Sequence, residues 1–217
     1  MKIATFNFLE KLDSNNNREW FNEHKNDYTN AREDVTSFVE EMVWEIVKFD
    51  EKLARMDIGK SLFRIYRDTR FSANKAPYKI NFGANMVMGN ARDKAGYYLH
   101  IQPGQSFLAG GIYLLENDKL KALRKEISGN GEAFQRIVGA ENFCHYFGGL
   151  SEEGKLKRVP AGFEKEDLMA EYLKLKYFVA IHPIADKALL EKDAAKKFAE
   201  IYKSLKPLND FLNAPFL

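Results

Sequence analysis

Residues and patterns that mark several protein classes are scarce in this sequence. Its 217 residues include a single cysteine, Cys144, which excludes an internal disulfide and a paired-cysteine zinc or redox site. No apolar run reaches the roughly 20 residues that span a bilayer, and a carboxylate comes too early for a signal peptide. Lysine and arginine total 33 against 31 acidic residues, so no protein-wide field favours nucleic acid or membranes. These absences predict a cytoplasmic protein with no membrane partner.

The motifs of familiar catalytic sites are also missing. The sequence contains no HExxH, GxSxG or P-loop pattern, so it predicts no bound metal and no cofactor. His145 follows Cys144 directly, but adjacent residues do not aim their side chains together on a helix or strand, which argues against a thiol enzyme. The sequence leaves open whether the protein is an enzyme, and it does not determine the oligomeric state.

Apolar residues at helical spacing dominate the first 50 residues. They recur every three or four positions from 21 to 46, which predicts a helix that continues to about residue 49. Asn16 and Glu19 have the spacing of a capping box at its start. Apolar residues between 6 and 12 fit a short helix that folds back onto the long one.

The middle of the chain has the composition of strands joined by turns. The predicted strands cover residues 62–67, 82–88, 97–102, 107–115 and, later in the chain, 177–181. The short connections between the first four favour an antiparallel meander. Helical spacing returns for 118–129, 134–139, 168–175 and the residues from about 186, with an irregular segment at 141–163.

Together these patterns predict a single α+β domain over residues 1–217. It comprises a helical N-terminal part (1–50), a sheet core (61–115) and a helical remainder (118–217) with one further strand. The expected architecture is a mainly antiparallel sheet of about five strands, with long N- and C-terminal helices packed on it.

One window departs from the neutral charge balance. Residues 60–79 carry six basic side chains and a single acid, Asp68, so the rest of the chain is slightly acidic. The basic residues of the window are Lys60, Arg64, Arg67, Arg70, Lys75 and Lys79. Planar guanidinium groups bind oxyanions through paired hydrogen bonds, and flexible lysines add point charges. The window is therefore the candidate anion site.

Strand geometry makes Arg67 the informative residue of this window. Alternation puts it on the same face as three apolar side chains, which predicts that it points inward. Those apolar residues are Phe63, Ile65 and Phe71. A buried guanidinium needs a carboxylate or a bound anion, and Glu19, Glu23 and Asp27 of the first helix are candidate partners. Arg64 and Arg70 lie about 20 Å apart on a straight strand, so they meet one ligand only if the chain bends near Asp68.

Three further positions are candidates on weaker grounds. His100 shares a strand face with Tyr98 and Gln102, a polar face that can open onto a cleft. Gly110 and Gly111 lie inside a predicted strand, where glycine marks a bulge or a close approach, here by a ligand or by the arginine motif. His24 lies on the apolar stripe of the first helix and is expected to be a structural residue.

Three segments of the sequence are distinctive: RIYRDTRFSANKAPYK at 64–79, NNNREWFNEHKNDY at 15–28 and GYYLHIQPGQSFLAGGIY at 96–113. In these segments the sequence resembles the domain-of-unknown-function family numbered 2461. KRVPAGF at 157–163 and the terminal PLNDFL extend it over nearly the whole chain. The family comprises bacterial and fungal proteins of about this length, and the resemblance implies no reaction.

The resemblance also carries over individual positions. They are Asn17, Arg18, Trp20, Phe21, His24, Arg64, Arg67, Asp68, Arg70, Phe71, Ser72, Lys75, Pro77, Tyr78, Lys79, Gly110 and Gly111. The chain departs from the family pattern at Ala73 and Ala76, where a polar or basic residue and a small hydroxyl residue are expected.

Three functions follow from these observations. The first is binding of a small anionic ligand, bearing phosphate or carboxylate, in a pocket lined by segment 64–79. The second is a nucleic-acid-binding module that uses the same basic patch. The third is a structural or interaction protein in which the arginines form internal ion pairs. The predicted ligand-binding residues are Arg64, Arg67, Asp68, Arg70, Lys75, Tyr78, Lys79, His100, Gly110 and Gly111.

Overall fold

The fold is α+β, as the sequence predicts. It is seen in a computed structural model that describes residues 1–91 and 93–216. The longer helices are α1 (Ile3–Ser14), α2 (Arg18–Glu23), α3 (Lys25–Val47), α5 (Asn117–Gly129), α6 (Gly131–Val138), α7 (Glu141–Phe147), α10 (Ala194–Lys203) and α11 (Lys206–Asn213). Single-turn helices are α4 (Ile58–Ser61), α8 (Ala170–Leu173) and α9 (Asp186–Leu189), and 3-10 turns cover Glu51–Arg55, Met88–Asn90 and Ala214–Phe216.

The strands form one antiparallel sheet in the order β1-β2-β3-β4. They are β1 (Phe82–Met86), β2 (Gly96–Ile101), β3 (Phe107–Ile112) and β4 (Phe178–Pro183). Along β2, buried Tyr97, Leu99 and Ile101 alternate with half-buried side chains. This alternation means that one face of the strand contributes to the core and the other remains partly open.

The fifth predicted strand, at 62–67, does not form as a regular strand. This segment makes only isolated antiparallel bridges, Leu62 with Ala84 and Tyr66 with Tyr78. Pro77 lies in the opposing segment, and its lack of an N–H prevents a continuous ladder there. The sheet therefore has four strands, and residues 62–79 form an extended loop at its β1 side.

The N-terminal helices differ from the prediction in two respects. The predicted long helix is interrupted at His24, whose backbone (φ −105°, ψ 23°) is not helical, so α2 and α3 are separate. The predicted capping box at Asn16 is wrong, because the N-cap of α2 is Asn17, whose side chain accepts a hydrogen bond from Trp20 N. The predicted short helix that folds back is α1, which packs against α3.

Two predictions for the C-terminal half are also corrected. Residues 141–147 form α7 and are not irregular; Phe143 and Phe147 give this helix a buried side. The single final helix predicted from residue 186 is divided into α9, α10 and α11. Pro207 lies in the first turn of α11, where its fixed φ favours the start of a new helix.

The described chain divides into two compact units, each assembled from separate segments. One unit comprises residues 1–90, 98–108 and 183–200, and its core includes the apolar side of α3. The other comprises 91–97, 109–182 and 201–217, and Phe134 packs there against Tyr172 and Phe211. The single domain expected from the sequence stays a prediction.

Candidate functional site

The extended loop of residues 62–79, here called the basic loop, is held by a few backbone contacts to itself and to β1. Arg67 N donates to Pro77 O (2.9 Å), Lys79 N to Ile65 O (2.7 Å) and Phe63 N to Gly83 O (2.9 Å). Its two arms are therefore antiparallel, and the chain reverses between them.

Arg67 ties the two arms of the basic loop together. Its guanidinium donates to the carbonyl of Ala76 (3.0 Å) and to the hydroxyl of Ser72 (3.4 Å). It is half-buried, as its inward orientation predicts, but no carboxylate of residues 1–91 or 93–216 lies within salt-bridge distance. Neutral oxygens of its own loop satisfy Arg67, so the predicted partners on the first helix are not used.

Asp68 and Arg70 form an exposed ion pair at the bend of the loop. The guanidinium donates twice to the carboxylate, from Nε to Oδ1 (3.0 Å) and from Nη2 to Oδ2 (2.6 Å). These hydrogen bonds, first among the causes, lower the pKa of Asp68 and raise that of Arg70. Lys75 donates from Nζ to Thr69 O (3.0 Å) across the same bend. The chain bends here as an anion site requires, but Arg70 is already paired with Asp68.

The N-terminal segment of the family resemblance anchors this loop. The Asn16 side chain accepts a hydrogen bond from Tyr78 N (3.1 Å) and donates one to Tyr78 O (3.0 Å). The ring of Tyr78 is 4% exposed and stacks on Phe21 at 4.0 Å. His24 stacks on Trp20 at 4.0 Å and its Nδ1 contacts Trp20 O at 2.9 Å. Tyr78 and His24 therefore have structural roles in this unit.

Arg64 and Lys79 are the two cations of the basic loop that the loop itself does not satisfy. In the part of the chain that is described, neither side chain has a carboxylate within salt-bridge distance or a hydrogen bond. Lys79 is half-buried, with Nζ 5.4 Å from the ring centre of Phe63. Burial first, and the positive charge of Arg64 second, lower the pKa of Lys79. Two like charges thus lie close together with no carboxylate at salt-bridge distance, although the charge of Arg64 contributes to the lowered pKa of Asp68.

A chain of hydrogen bonds runs along the half-open face of β2. The Tyr98 hydroxyl lies 3.0 Å from His100 Nδ1, and His100 Nε2 lies 3.1 Å from Gln102 Oε1. Because the Gln102 oxygen can only accept, Nε2 carries the proton and Nδ1 accepts from Tyr98. This arrangement confirms that the three side chains share one face, as the alternation predicts.

Burial shifts the pKa of both titratable groups of this face in the direction that favours the neutral form. Burial lowers the pKa of His100; the Gln102 hydrogen bond raises it in part, and the charge of Lys79 lowers it further. Burial also raises the pKa of Tyr98 to about 12. The influence of Lys79 on His100 shows that the unpaired cations and the polar face of β2 are neighbours.

Sequence reasoning missed the residues that shape this face. A Cβ at Gly83 would lie 2.5 Å from the Tyr98 hydroxyl and 3.2 Å from the Phe63 ring, so glycine is required for these rings to lie over β1. Phe107 stacks on His100, with ring centres 4.5 Å apart and planes 9° apart. A glycine inside the alternating pattern of strand 82–86 was the available signal for this close approach.

The predicted core face of the basic loop is partly wrong. Ile65 is buried, but Phe63 is 47% exposed and Phe71 is 96% exposed. Only isolated bridges form at Leu62 and Tyr66. Because no regular strand joins or follows them, spacing does not assign Phe63 or Phe71 to a face.

Gly110 and Gly111 are explained by packing within their own unit. A Cβ at Gly111 (φ +109°) would lie 1.9 Å from Phe178 O of the neighbouring strand. A Cβ at Gly110 would lie 2.5 Å from Leu205 Cδ1. Phe178 and Leu205, and not the arginine motif, make these close approaches. A role of either glycine toward a ligand stays a prediction.

Other chemical groups do not form a second constellation with these residues. Cys144 lies on α7 and its thiol donates to Val138 O at 3.3 Å. A cavity of about 220 Å³ between α1 and α3 is lined by lysines, asparagines and aspartates, of which Asp34 bonds Lys2 N and Thr5 Oγ1. Within residues 1–91 and 93–216, no group of three histidine, cysteine or acidic side chains is arranged to hold a metal.

Comparison with known proteins extends the resemblance seen in the sequence segments. The family model described as "Conserved hypothetical protein (DUF2461)" matches residues 4–211. No curated protein and no solved structure matches the chain. In the described ranges, no helix has both the length and the apolar character needed to cross a bilayer.

Proposed function

The chain belongs to the DUF2461 family of conserved hypothetical proteins, and we propose that it binds a small anion through Arg64 and Lys79. One observation carries the proposal: two adjacent cations, one of them half-buried, lie without a carboxylate partner in the described chain. Charge repulsion and burial both oppose this arrangement. A phosphate or carboxylate that bridges the two side chains would offset the repulsion between them and the cost of burying the Lys79 charge.

The contacts within the basic loop support the proposal, because different cations fix the loop and bind the ligand. Arg67 and Lys75 bond to carbonyls of the loop, and Asp68 neutralises Arg70. These contacts fix the loop without using Arg64 or Lys79. The ligand site therefore narrows from the whole basic window to two cations and the neighbouring His100.

His100 contributes to this site as a neutral group. Its Nδ1 accepts from Tyr98 and its Nε2 donates to Gln102, so the ring is held in one tautomer. Because the Tyr98 hydroxyl proton is used in the bond to His100 Nδ1, His100 fixes the Tyr98 ring in place next to the site, and the anion itself is bound by the two cations. The geometry supports binding and does not assign a reaction.

The test is thermal denaturation with inorganic phosphate, sulfate and citrate, each at constant ionic strength with chloride as reference. An anion bound by the folded state raises the Tm in proportion to its occupancy. We expect a phosphate-dependent increase for the wild type that is lost in Arg64→Gln and in Lys79→Met.

Arg70→Gln is the matched control, because it removes the same charge from the same loop at a residue that Asp68 already neutralises. It is expected to keep the phosphate effect. No Tm increase with any of the three anions at concentrations up to tens of millimolar, or equal loss in all three variants, contradicts the proposal.

A further inference from the structure

A row of ring side chains begins at the proposed anion site and continues along the sheet face. The Lys79 ammonium lies 5.4 Å from the centre of Phe63, and the ring of Phe63 lies 6.0 Å from that of Tyr98. Tyr98 is 6.0 Å from His100, which stacks on Phe107 at 4.5 Å. Four rings thus follow one another from the cations across β1, β2 and β3.

This ring face is partly open, unlike the opposite side of the same strands. Phe63 is 47% exposed, and Tyr98, His100 and Phe107 are each half-buried. On the other side of β2, Tyr97 and Leu99 are buried at 1% exposure or less. Partly exposed aromatic side chains beside cations form a surface on which a flat ring can stack.

Gly83 brings the rings close to the sheet. Its missing Cβ leaves the space occupied by the Tyr98 hydroxyl, and the ring carbon Cε2 of Tyr98 lies 3.2 Å from the same point. The tyrosine therefore lies low over β1. A bulkier residue at 83 would lift it and interrupt the row.

Gln102 adds a hydrogen-bonding group at the far end of the row. Its side-chain oxygen accepts from His100 Nε2, while its amide nitrogen has no hydrogen-bond partner in the described chain. A free amide donor beside stacking rings can bond an acceptor on the edge of a heterocyclic base.

From this arrangement we infer that the ligand is a nucleotide, whose phosphate binds Arg64 and Lys79 and whose base stacks on the ring face. The inference rests on the proposed anion site and adds the class of ligand. Both parts of a nucleotide match the surface. Its phosphate is an anion that the cations can bind, and its base is a flat π-system that the neighbouring rings can stack on. The nucleotide can be free or can belong to a single strand, because both present the same base and phosphate.

Isothermal titration of the full chain separates the contributions of phosphate and base. The probes are inorganic phosphate, ribose 5-phosphate, AMP and a pentanucleotide. We expect AMP to bind at least about fivefold more tightly than ribose 5-phosphate, the lower end of the effect of stacking one base. AMP and the pentanucleotide at equal affinity identify a free nucleotide, whereas a pentanucleotide that binds at least about tenfold more tightly identifies a strand.

Phe63→Leu tests the ring face, and Phe71→Leu is the matched control. Both substitutions remove an exposed ring from the basic loop. Phe63 contacts the ring of Tyr98, whereas Phe71 contacts none of the four rings of the row. Phe63→Leu is expected to abolish the tighter binding of AMP over ribose 5-phosphate and to retain the affinity for phosphate. Phe71→Leu is expected to change neither affinity. As a second readout on the wild type, AMP shifts the NMR ring signals of Tyr98 and Phe107 by more than ribose 5-phosphate does.

Two results overturn the inference in different ways. If AMP and ribose 5-phosphate bind equally, or if both leucine variants lose the AMP preference equally, the ligand is not a nucleotide. The proposed anion site is unaffected by that result. Absence of binding by every probe removes the anion site as well.

Discussion

Lys79 is a side chain whose surroundings oppose its own charge. Burial and the neighbouring Arg64 lower its pKa, and the described chain supplies no acid to offset this. His100 experiences the same field, because Lys79 contributes to its lowered pKa. At the scale of single residues, the site therefore consists of groups that a bound anion would stabilise.

Lys79→Met is expected to stabilise the unliganded protein at pH 7. The lowered pKa means that the folded state binds the Lys79 proton less tightly than the unfolded state, so the charge costs stability wherever both states are protonated. We expect a gain of about 0.2–1 kcal/mol, typical of charge interactions at partly exposed sites. Chemical denaturation measures it, and the gain must disappear as the pH rises toward the ordinary lysine pKa of about 10.5. A less stable variant at pH 7 contradicts this account.

The titration of His100 reports the electrostatic effect of Lys79 without a mutation. Its NMR signals are expected to titrate below the usual histidine pKa of about 6.5, since burial and Lys79 disfavour the cation. Stability from this group is present above pH 6.5 and is lost as the pH falls through its folded pKa. Saturating phosphate should raise that pKa by screening Lys79. A pKa of His100 that phosphate lowers or leaves unchanged is evidence against binding at this position.

The basic loop is an element whose shape depends on a few specific contacts. It lacks a continuous ladder, and it is held by isolated bridges, by Arg67 within it and by Asn16 from outside. Asn16 substitutes for a neighbouring strand, because its amide pairs with both backbone groups of Tyr78. The position of Lys79, one residue further on, follows from this clamp.

Asn16→Ala is expected to destabilise the protein by about 1–3 kcal/mol. Loss of the amide leaves an N–H and a carbonyl of half-buried backbone without partners, and the cost of such groups has this size. Denaturant titration measures it, with Asn15→Ala as the control, since Asn15 makes a single exposed bond to Lys11 O. Equal effects of the two substitutions would mean that the clamp on Tyr78 contributes little.

At the scale of the whole molecule, charge is distributed unevenly around a small net value. The net charge is +2, yet residues 60–79 alone carry six basic side chains and one acid. Contacts within the loop account for Arg67, Arg70 and Lys75, and Lys60 pairs with Asp57, so Arg64 and Lys79 remain. We therefore expect a short phosphate contact rather than the broad positive surface that binds long polyanions without sequence preference.

Salt dependence tests this view of the whole surface. Each phosphate neutralised on a single strand contributes a slope of about −0.7 to a plot of log affinity against log salt concentration. Two cations therefore predict a slope of about −1.4 or shallower for the pentanucleotide. A slope of about −4 or steeper would indicate that the entire basic window contacts phosphates, as the nucleic-acid-binding alternative requires.

Local sequence patterns were sufficient for the α+β class, for α1, α5 and α6, and for the shared face of Tyr98, His100 and Gln102, because periodicity and alternation depend on near neighbours. They also located the basic window and the resemblance that the family match over residues 4–211 confirms. Only the tertiary structure decided which cations remain unpaired. That outcome depends on how the two arms of the basic loop face each other in the fold, which places Arg67 beside Ala76 and Lys75 beside Thr69. The loss of the fifth strand also depends on which segments face each other. A continuous ladder requires N–H donors from both segments, and Pro77 in the opposing segment has no N–H.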